Sequence, residues 1–75
     1  MNNKIQLNVG KRIKNLRENF KYSQEQLANL AQLDRTYITS VENGHRNVSI
    51  KTILKFSNAF GISVQEFFND SMFGN

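Results

Sequence analysis

Compact hydrogen-bonding side chains are concentrated in the stretch LDRTYITSVENGHRN, residues 33–47. Within it, Ile38, Val41 and Glu42 fall on one side of a 3.6-residue repeat, which predicts a short helix with one inward face. The opposite face and its borders carry Arg35, Thr36, Tyr37, Thr39, Ser40 and Asn43. Arginine can bond guanine O6 and N7 together, and threonine and serine can bond base edges. The pattern therefore favours recognition of base edges in the major groove of DNA.

The rest of the chain offers no competing constellation for catalysis. His45 is the only histidine and the sequence contains no cysteine, which argues against a zinc site. Ser23, Ser49 and Ser63 occupy positions typical of helix caps, with no positioned base nearby in sequence. No nucleophile–base pair and no carboxylate dyad can be assembled, so we expect a protein that is not an enzyme and that uses no metal or cofactor.

Charge agrees with a nucleic-acid partner but is unevenly distributed. The 75-residue chain has a formal net charge of +4 and a pI of about 9.8, typical of a small nucleic-acid-binding domain. Residues 1–21 carry six basic side chains against one acidic one, whereas the remainder carries four against five. The basic face of the first helix can therefore be either a solvated surface or a set of phosphate contacts.

Length and hydropathy limit the architecture and the cellular compartment. A chain of this length corresponds to one domain, so residues 1–75 are predicted to form a single unit. No apolar run approaches the ~20 residues that span a bilayer, and the N-terminus lacks the hydrophobic core of a signal peptide. We therefore expect a soluble cytoplasmic protein with no membrane partner.

Hydrophobic periodicity and capping signals predict the first three helices. A first helix over about residues 5–20 has apolar residues spaced four, four, three and four apart: Ile5, Val9, Ile13, Leu16 and Phe20. Ser23-Gln-Glu-Gln26 is a capping box, so a second helix begins at Gln24. Asp34 is a predicted N-cap for the third helix. Gly44 follows its end, where a left-handed residue is usual.

Two further helices complete an all-α prediction of five short helices. Ser49 is predicted to cap the fourth helix, Gly61 ends it, and its buried stripe is Ile50, Ile53, Phe56, Ser57 and Phe60. Ser63-Val-Gln-Glu66 is a second capping box and opens a short fifth helix that contains Phe67 and Phe68. The tail over residues 71–75 is expected to fray.

The connection between helices two and three is short, about four residues over 31–34. Two short helices joined in this way form a helix-turn-helix, here predicted over about residues 23–43. In that arrangement the second helix enters the major groove and its N-terminal residues meet base edges. The polar face over residues 35–43 would then be the DNA-reading surface.

The sequence from Gly10 through Phe67 resembles the Cro/repressor class of bacterial and phage DNA-binding proteins. The pattern lies in SQEQLANLAQLDRTYITSVENGHRNVS and in the preceding Gly10-x-x-Ile13-x-x-Leu16-Arg17. Within the class, DRTYIT followed by E-N-G-x-R-N looks most like the controller proteins of restriction–modification systems. The resemblance implies a homodimer that binds palindromic operators in double-stranded DNA, with activation of its own operon at low concentration and repression at high concentration. RNA polymerase is then a candidate partner during activation.

The resemblance also assigns positions in this sequence. Gln24 matches a phosphate-contacting position at the start of helix two, where a helix N-terminus favours an anion. The whole predicted DNA-contacting set is Gln24, Arg35, Thr36, Tyr37, Thr39, Ser40, Asn43, Arg46 and Asn47. Alternatives stay open for three of these: the Tyr37 ring can pack on the domain surface, and Thr39 and Arg46 can simply be solvated. Lys21 and Gln32 stand where the class often has glycine.

Arg17 and Glu42 are predicted to be structural. Arg17 borders the apolar face of helix one and Glu42 lies beside Val41 on the inward face of helix three. A guanidinium and a carboxylate on facing inner surfaces predict a partly buried ion pair, and the resemblance implies the same pairing. Neither residue is therefore counted among those that read DNA.

Apolar residues remain on helices four and five after one small core is filled. Leu54, Val64 and Phe68 are the predicted dimer interface, within helices four and five over about residues 50–69. The alternative is that Phe73 and the tail fold back over this surface within one chain. Three other functions stay open: a generic phage-type repressor, an antitoxin-like protein-interaction module that uses the same surface, and an enzyme-associated accessory subunit that needs DNA only weakly.

Overall fold

The computed structural model describes residues 4–74, and within this range the chain contains α-helices, one 3₁₀ turn and no strand. The helices are α1 (Lys4–Asn19), α2 (Gln24–Ala31), α3 (Arg35–Glu42), α4 (Ile50–Phe60) and α5 (Val64–Phe67), followed by a 3₁₀ turn at Ser71–Phe73. The predicted all-α architecture of five helices is confirmed.

Side-chain caps define where most helices begin. Both predicted capping boxes are present, at Ser23 and Ser63, and the Ser49 hydroxyl accepts a hydrogen bond from the Thr52 amide. Asp34 occupies the N-cap position of α3 in extended conformation, but its side chain makes no cap hydrogen bond. Its contribution is therefore the negative charge it places near the positive end of the α3 dipole.

The core lies where α1, α2, α3 and α4 meet, and α5 closes one end of it with a phenylalanine. Ile13, Leu27, Ile38, Phe56 and Phe67 are fully buried. Tyr22, Leu33, Tyr37 and Val48 pack around this cluster while remaining partly exposed. Every helix thus contributes at least one fully buried residue, so the inward face of α3 is fixed by the main core.

Three residues predicted for buried stripes are exposed instead: Ile5 by 55%, Phe20 by 44% and Ile50 by 73%. Ile5 and Ile50 lie in the first turn of their helices, and Phe20 directly follows the last residue of α1. Phe20 keeps one covered face, because its ring stacks on Tyr22 at 5.8 Å and on Phe60 at 5.6 Å between centroids.

The prediction that the tail frays is wrong for residues 71–74. The Asp70 carboxylate accepts a hydrogen bond from the Met72 amide at 3.0 Å, and the Asn8 side chain donates to the Met72 carbonyl at 3.0 Å. Phe73 packs edge-on against Phe68 with centroids 5.0 Å apart. Phe68 itself is the C-cap of α5 and not part of the helix. Asn75 lies outside the described residues.

Candidate nucleic-acid interface

The turn between α2 and α3 sets the direction of α3. Gln32 ends α2 in the left-handed region with φ 57°, and the Leu33 amide donates to the Ala28 carbonyl at 2.8 Å. Lys21 has φ 61° at the end of α1. Both residues hold conformations that glycine adopts more easily, at a cost of about 1 kcal/mol each. The turns are therefore retained without the glycines common in the class.

The inward face of α3 is attached to α1 by an ion pair. The Arg17 Nε donates to Glu42 Oε2 at 2.7 Å and its Nη2 donates to Glu42 Oε1 at 3.1 Å. The two side chains are only 13% and 4% exposed. The structure thus brings together the two residues that the sequence paired, in the bidentate geometry that favours arginine over lysine.

Electrostatics keep Arg17 charged. The hydrogen bond with Glu42 raises the pKa of Arg17 above its usual value; burial lowers it, and the charges of Glu42 and Glu18 raise it further. Because the pKa of Arg17 is higher in the folded state than in the unfolded chain, its contribution to stability is fully present where the guanidinium is protonated in both states. That contribution is lost only as the pH rises from the unfolded-state pKa through the folded-state pKa. The Arg17 contribution is therefore constant from neutral to mildly alkaline pH.

Two of the predicted DNA-contacting side chains extend this ion pair. The Gln24 Nε2 donates to Glu42 Oε1 at 3.1 Å, and the Thr39 hydroxyl donates to Gln24 Oε1 at 3.0 Å. The Thr39 hydroxyl also lies 3.3 Å from the carbonyl of Arg35, one turn earlier in α3. The network fixes the orientation of the Gln24 amide before any ligand arrives, and it gives Thr39 a partner within the protein.

A close backbone approach provides the second attachment of α3. Gly10 of α1 is buried against the C-terminal end of α3, and a Cβ built at this position would overlap the Val41 carbonyl oxygen and lie 3.0 Å from the Glu42 carbonyl oxygen. Only a residue without a side chain permits this distance between the helices. Gly44, with φ 78°, lies against Leu7 of α1.

The outward face of α3 has no such attachments to the core. Arg35 and Thr36 are exposed in the first turn, Asn43 is exposed at the C-cap, and Ser40 is half-buried between them. When a helix-turn-helix docks in the major groove, the N-terminal residues of its second helix meet base edges, and Arg35 and Thr36 occupy that end of α3.

Tyr37 and the loop after α3 make contacts within the protein and also remain partly exposed. The Tyr37 ring packs at the edge of the core and stays partly exposed, and the Arg46 guanidinium lies over it at 5.3 Å from the centroid. Asn47 accepts a hydrogen bond from the Gln6 side chain of α1. Packing and DNA contact are therefore compatible for Tyr37, and the loop residues lie beside α3 at the surface.

The residues predicted for a dimer interface lie on α4 and at the ends of α5. Leu54 is 49% exposed, whereas Val64 and Phe68 are half-buried. Phe68 makes edge contacts with Phe67 and Phe73, both at 5.0 Å. The tail thus covers part of Phe68 within the chain, as the alternative interpretation expected, and leaves Leu54 uncovered.

Residues that could bind a metal are not clustered in the part of the chain that is described. Among residues 4–74, no three His, Cys, Asp or Glu side chains are grouped so that they could hold a metal ion. Within the same range, no helix combines the length and hydropathy required to cross a membrane.

Sequence reasoning missed one positioning residue. Arg12 of α1 donates from Nε to the Phe67 carbonyl at 2.7 Å and from Nη2 to the Glu66 carbonyl at 2.9 Å. Its Nη1 lies 3.5 Å from the Asp70 carboxylate. The sequence holds no signal for this arrangement beyond an arginine on α1, because two of the three partners are backbone groups.

Comparison with known proteins identifies relatives along almost the whole chain. A family model described as helix-turn-helix matches residues 13–67. The control protein C.MunI of Mycoplasma sp. is 45% identical over 69 residues, covering 91% of this chain and 93% of the relative.

Two solved structures show the same fold. The restriction-modification controller protein C.AhdI of Aeromonas hydrophila has a TM-score of 0.80 and 44% identity, covering 84% of this chain and 96% of the other. The controller C.Esp1396I, solved as a tetramer in complex with its natural 35 base-pair operator, has a TM-score of 0.79 and 35% identity, covering 84% and 83%.

Proposed function

This chain belongs to the helix-turn-helix family and, within it, to the controller proteins of restriction–modification systems, and from that premise we propose that it is a sequence-specific, dimeric DNA-binding regulator of transcription. The observation that carries the proposal is the contrast between the two faces of α3. Its inward face is attached through Arg17–Glu42 and Gly10, whereas Arg35 and Thr36 are exposed on its outward face.

The exposed face is suited to reading bases. Arg35 at the start of α3 has the reach and the paired donors to recognise guanine, and Thr36 can bond a base edge or pack its methyl group on thymine. Gln24 lies at the N-terminus of α2 with its amide oriented by Glu42; one of its amide hydrogens can still donate to a phosphate oxygen. Arg46 and Asn47 extend the contact surface beyond α3.

Affinity and specificity come from different contacts. Phosphate contacts supply affinity that falls steeply with salt, whereas contacts from α3 supply sequence preference. A chain with net charge +4 is suited to the first of these roles. We expect binding at low salt to be weakly selective and binding near physiological salt to discriminate strongly.

A two-fold dimer through α4 and α5 would cover Leu54, which the core leaves 49% exposed. Two recognition helices would then lie about 34–36 Å apart, facing successive major grooves of a palindrome. The tetramer of C.Esp1396I on a 35 base-pair operator supports paired sites for this chain, since such a duplex offers roughly three helical turns of ~10.5 base pairs each.

Regulation of the chain's own restriction–modification operon follows from paired sites. A first dimer bound beside the promoter would recruit RNA polymerase and activate, and a second dimer at higher concentration would exclude polymerase and repress. The protein acts in the cytoplasm by binding alone, without catalysis or a cofactor. C.MunI is a control protein and C.AhdI is a restriction-modification controller protein.

Selection from a random-sequence duplex pool tests the proposal, followed by a gel shift near 150 mM salt with random competitor. We expect a palindromic sequence to be enriched and to bind about 10³-fold or more tightly than random duplex. A protein that retains no duplex preferentially under these conditions contradicts the proposal. Binding that is equal for the palindrome and its scrambled version contradicts it as well.

A further inference from the structure

Arg12 connects α1 to the end of α5. Its guanidinium donates to the carbonyls of Phe67 at 2.7 Å and Glu66 at 2.9 Å, and its side chain is only 15% exposed. The last carbonyls of a helix have no partners within the helix, and a cation there is favourable with respect to the helix dipole. Arg12 therefore holds the terminal turn of α5 by two directed bonds.

Helix α5 depends on its attachments for its orientation. It has four residues, Val64–Phe67, far fewer than an isolated helix needs. The Ser63 capping box fixes its start and the fully buried Phe67 fixes its position against the core. Val64 and Phe68 also pack, partly buried, against the core, and the two bonds from Arg12 add directed contacts that fix the angle at which α5 lies on it.

The same segment of α1 also holds the recognition helix. Gly10 meets the backbone of α3 at Val41, and Arg17 binds Glu42. Arg12 lies between these two attachments on α1. The region from Gly10 to Arg17 therefore defines the position of α3 and the orientation of α5 relative to one another.

We propose that Arg12 is a positioning residue that sets the distance between the two half-sites which the dimer accepts, an inference that rests on the proposed dimerisation through α4 and α5. In a two-fold dimer each recognition helix lies about 17 Å from the axis, which is half of the distance between the half-sites. A pivot of about 5° at α5 therefore moves each recognition helix by roughly 1.5 Å. The two helices together then shift by about 3 Å, close to the ~3.4 Å rise of one base pair.

A role limited to stability makes a different prediction. If Arg12 only stabilised the fold, its loss would weaken binding to every spacing by the same factor. If it positions α5, its loss changes the ratio of affinities among spacings and leaves the affinity for an isolated half-site unchanged.

The test uses the full chain and the palindrome that it selects from a random duplex pool. Duplexes carry the same half-sites with the spacer shortened by one base pair, unchanged or lengthened by one, and a fourth duplex carries a single half-site. Dissociation constants are measured by fluorescence anisotropy for the parent and for Arg12→Gln, Arg12→Lys and Lys11→Gln. Lys11→Gln is the matched control, because Lys11 is exposed and its substitution removes the same positive charge from the position next to Arg12.

We expect the parent and Lys11→Gln to prefer the original spacing by about tenfold or more over either neighbour. Arg12→Gln should lower this preference to less than about threefold, or move the optimum by one base pair, with half-site affinity within about twofold of Lys11→Gln. Arg12→Lys keeps the charge but cannot bind both carbonyls in the planar geometry, so its preference should also fall.

A folded Arg12→Gln protein that keeps the parent's spacing preference overturns the inference. If Arg12→Gln does not fold, an Arg12→Lys protein that keeps the parent's preference overturns it instead. An equal loss of affinity for the duplexes of all three spacings also overturns the inference. If the parent protein enriches no palindrome, the proposed function itself is contradicted. That outcome differs from failure of the inference alone, in which the parent enriches a palindrome but the Arg12 variants keep its spacing preference.

Discussion

Helices α3 and α5 are both short, and both are attached to α1 by an arginine, but the partners differ in kind. Arg17 binds the side chain of Glu42 in α3 with the carboxylate 4% exposed. Arg12 binds backbone carbonyls at the end of α5, at 2.7 and 2.9 Å. The Arg17 attachment pairs two largely buried charges in bidentate geometry. The Arg12 attachment is mainly to backbone carbonyls, with the more exposed Asp70 carboxylate 3.5 Å away.

The difference determines what each attachment contributes. Loss of one partner in the Arg17–Glu42 pair leaves an uncompensated charge in the interior, which is costly. Loss of Arg12 removes a donor from two carbonyls at the end of α5, which costs less energy, and on our proposal it also releases the orientation of α5. Helix α3 is thus held for stability and geometry together, and the proposed dimer surface mainly for geometry.

The largest effect is expected from breaking the ion pair at α3. Glu42→Ala leaves Arg17 buried without its counter-charge and removes a partner of Gln24. The free energy of unfolding should fall by about 3–5 kcal/mol, measured by urea denaturation. Glu25→Ala is the matched control, since Glu25 is exposed on α2 and its loss should change stability by less than about 0.5 kcal/mol. A Glu42→Ala protein within about 1 kcal/mol of the parent would refute a structural role for the pair.

The next effect concerns the surface beside α5. Phe68→Asp places a charge where the proposed dimer buries an aromatic ring, so the dimer should weaken by about 2 kcal/mol or more, equivalent to roughly 30-fold. Sedimentation velocity at a concentration where the parent is dimeric should show monomer. Gln65→Asp, exposed on α5, controls for the charge. A Phe68→Asp protein that sediments like the parent excludes this surface from the interface.

A smaller effect is expected at the backbone contact between α1 and α3. Alanine favours a helix interior by about 1 kcal/mol over glycine, yet Gly10→Ala should destabilise by about 1–3 kcal/mol. The added Cβ meets the Val41 and Glu42 carbonyls, which cannot rotate away. Thermal unfolding checks the sign, with Asn15→Ala on the exposed side of α1 as the control. A more stable Gly10→Ala protein would contradict the close approach.

The smallest effect is expected in α4, at a site that belongs to neither attachment. The Ser57 hydroxyl is buried, and the described part of the chain provides it with no hydrogen-bond partner. Removing an unsatisfied polar group is close to neutral, so Ser57→Ala should lie within about 1 kcal/mol of the parent or be more stable. A larger loss, measured by the same urea denaturation, would indicate that the hydroxyl makes a bond in solution.

The sequence predicted the features that depend on local patterns or on side-chain partners. Two helix starts, at Ser23 and Ser63, were predictable because a capping box places the serine and its glutamine or glutamate partner at a fixed spacing. The pairing of Arg17 with Glu42 was predictable because both partners are charged side chains on inward faces. By contrast, the bonds of Arg12 to backbone carbonyls leave no residue-type signal in α5.

Other features depend on how far neighbouring elements extend. Ile5 and Ile50 continue their apolar stripes by spacing alone, yet they lie past the end of the core and are exposed. The bond between Gln24 and Thr39 depends on how α2 and α3 cross, which the sequence does not specify. For the candidate site, the outward face of α3 was predictable from periodicity, whereas the bonds among its members were not.

The central claim is that the outward face of α3 reads bases while its inward face only holds it, and Arg35→Ala tests this most directly. Parallel selections from a random duplex pool are run for the parent, for Arg35→Ala, and for Lys14→Ala, which removes an exposed charge from α1. We predict that Arg35→Ala relaxes the preference at one base pair in each half-site by about 1–3 kcal/mol, while Lys14→Ala keeps the parent's preference at every position. An Arg35→Ala protein that enriches the same sequence with the same discrimination at every position would contradict the claim.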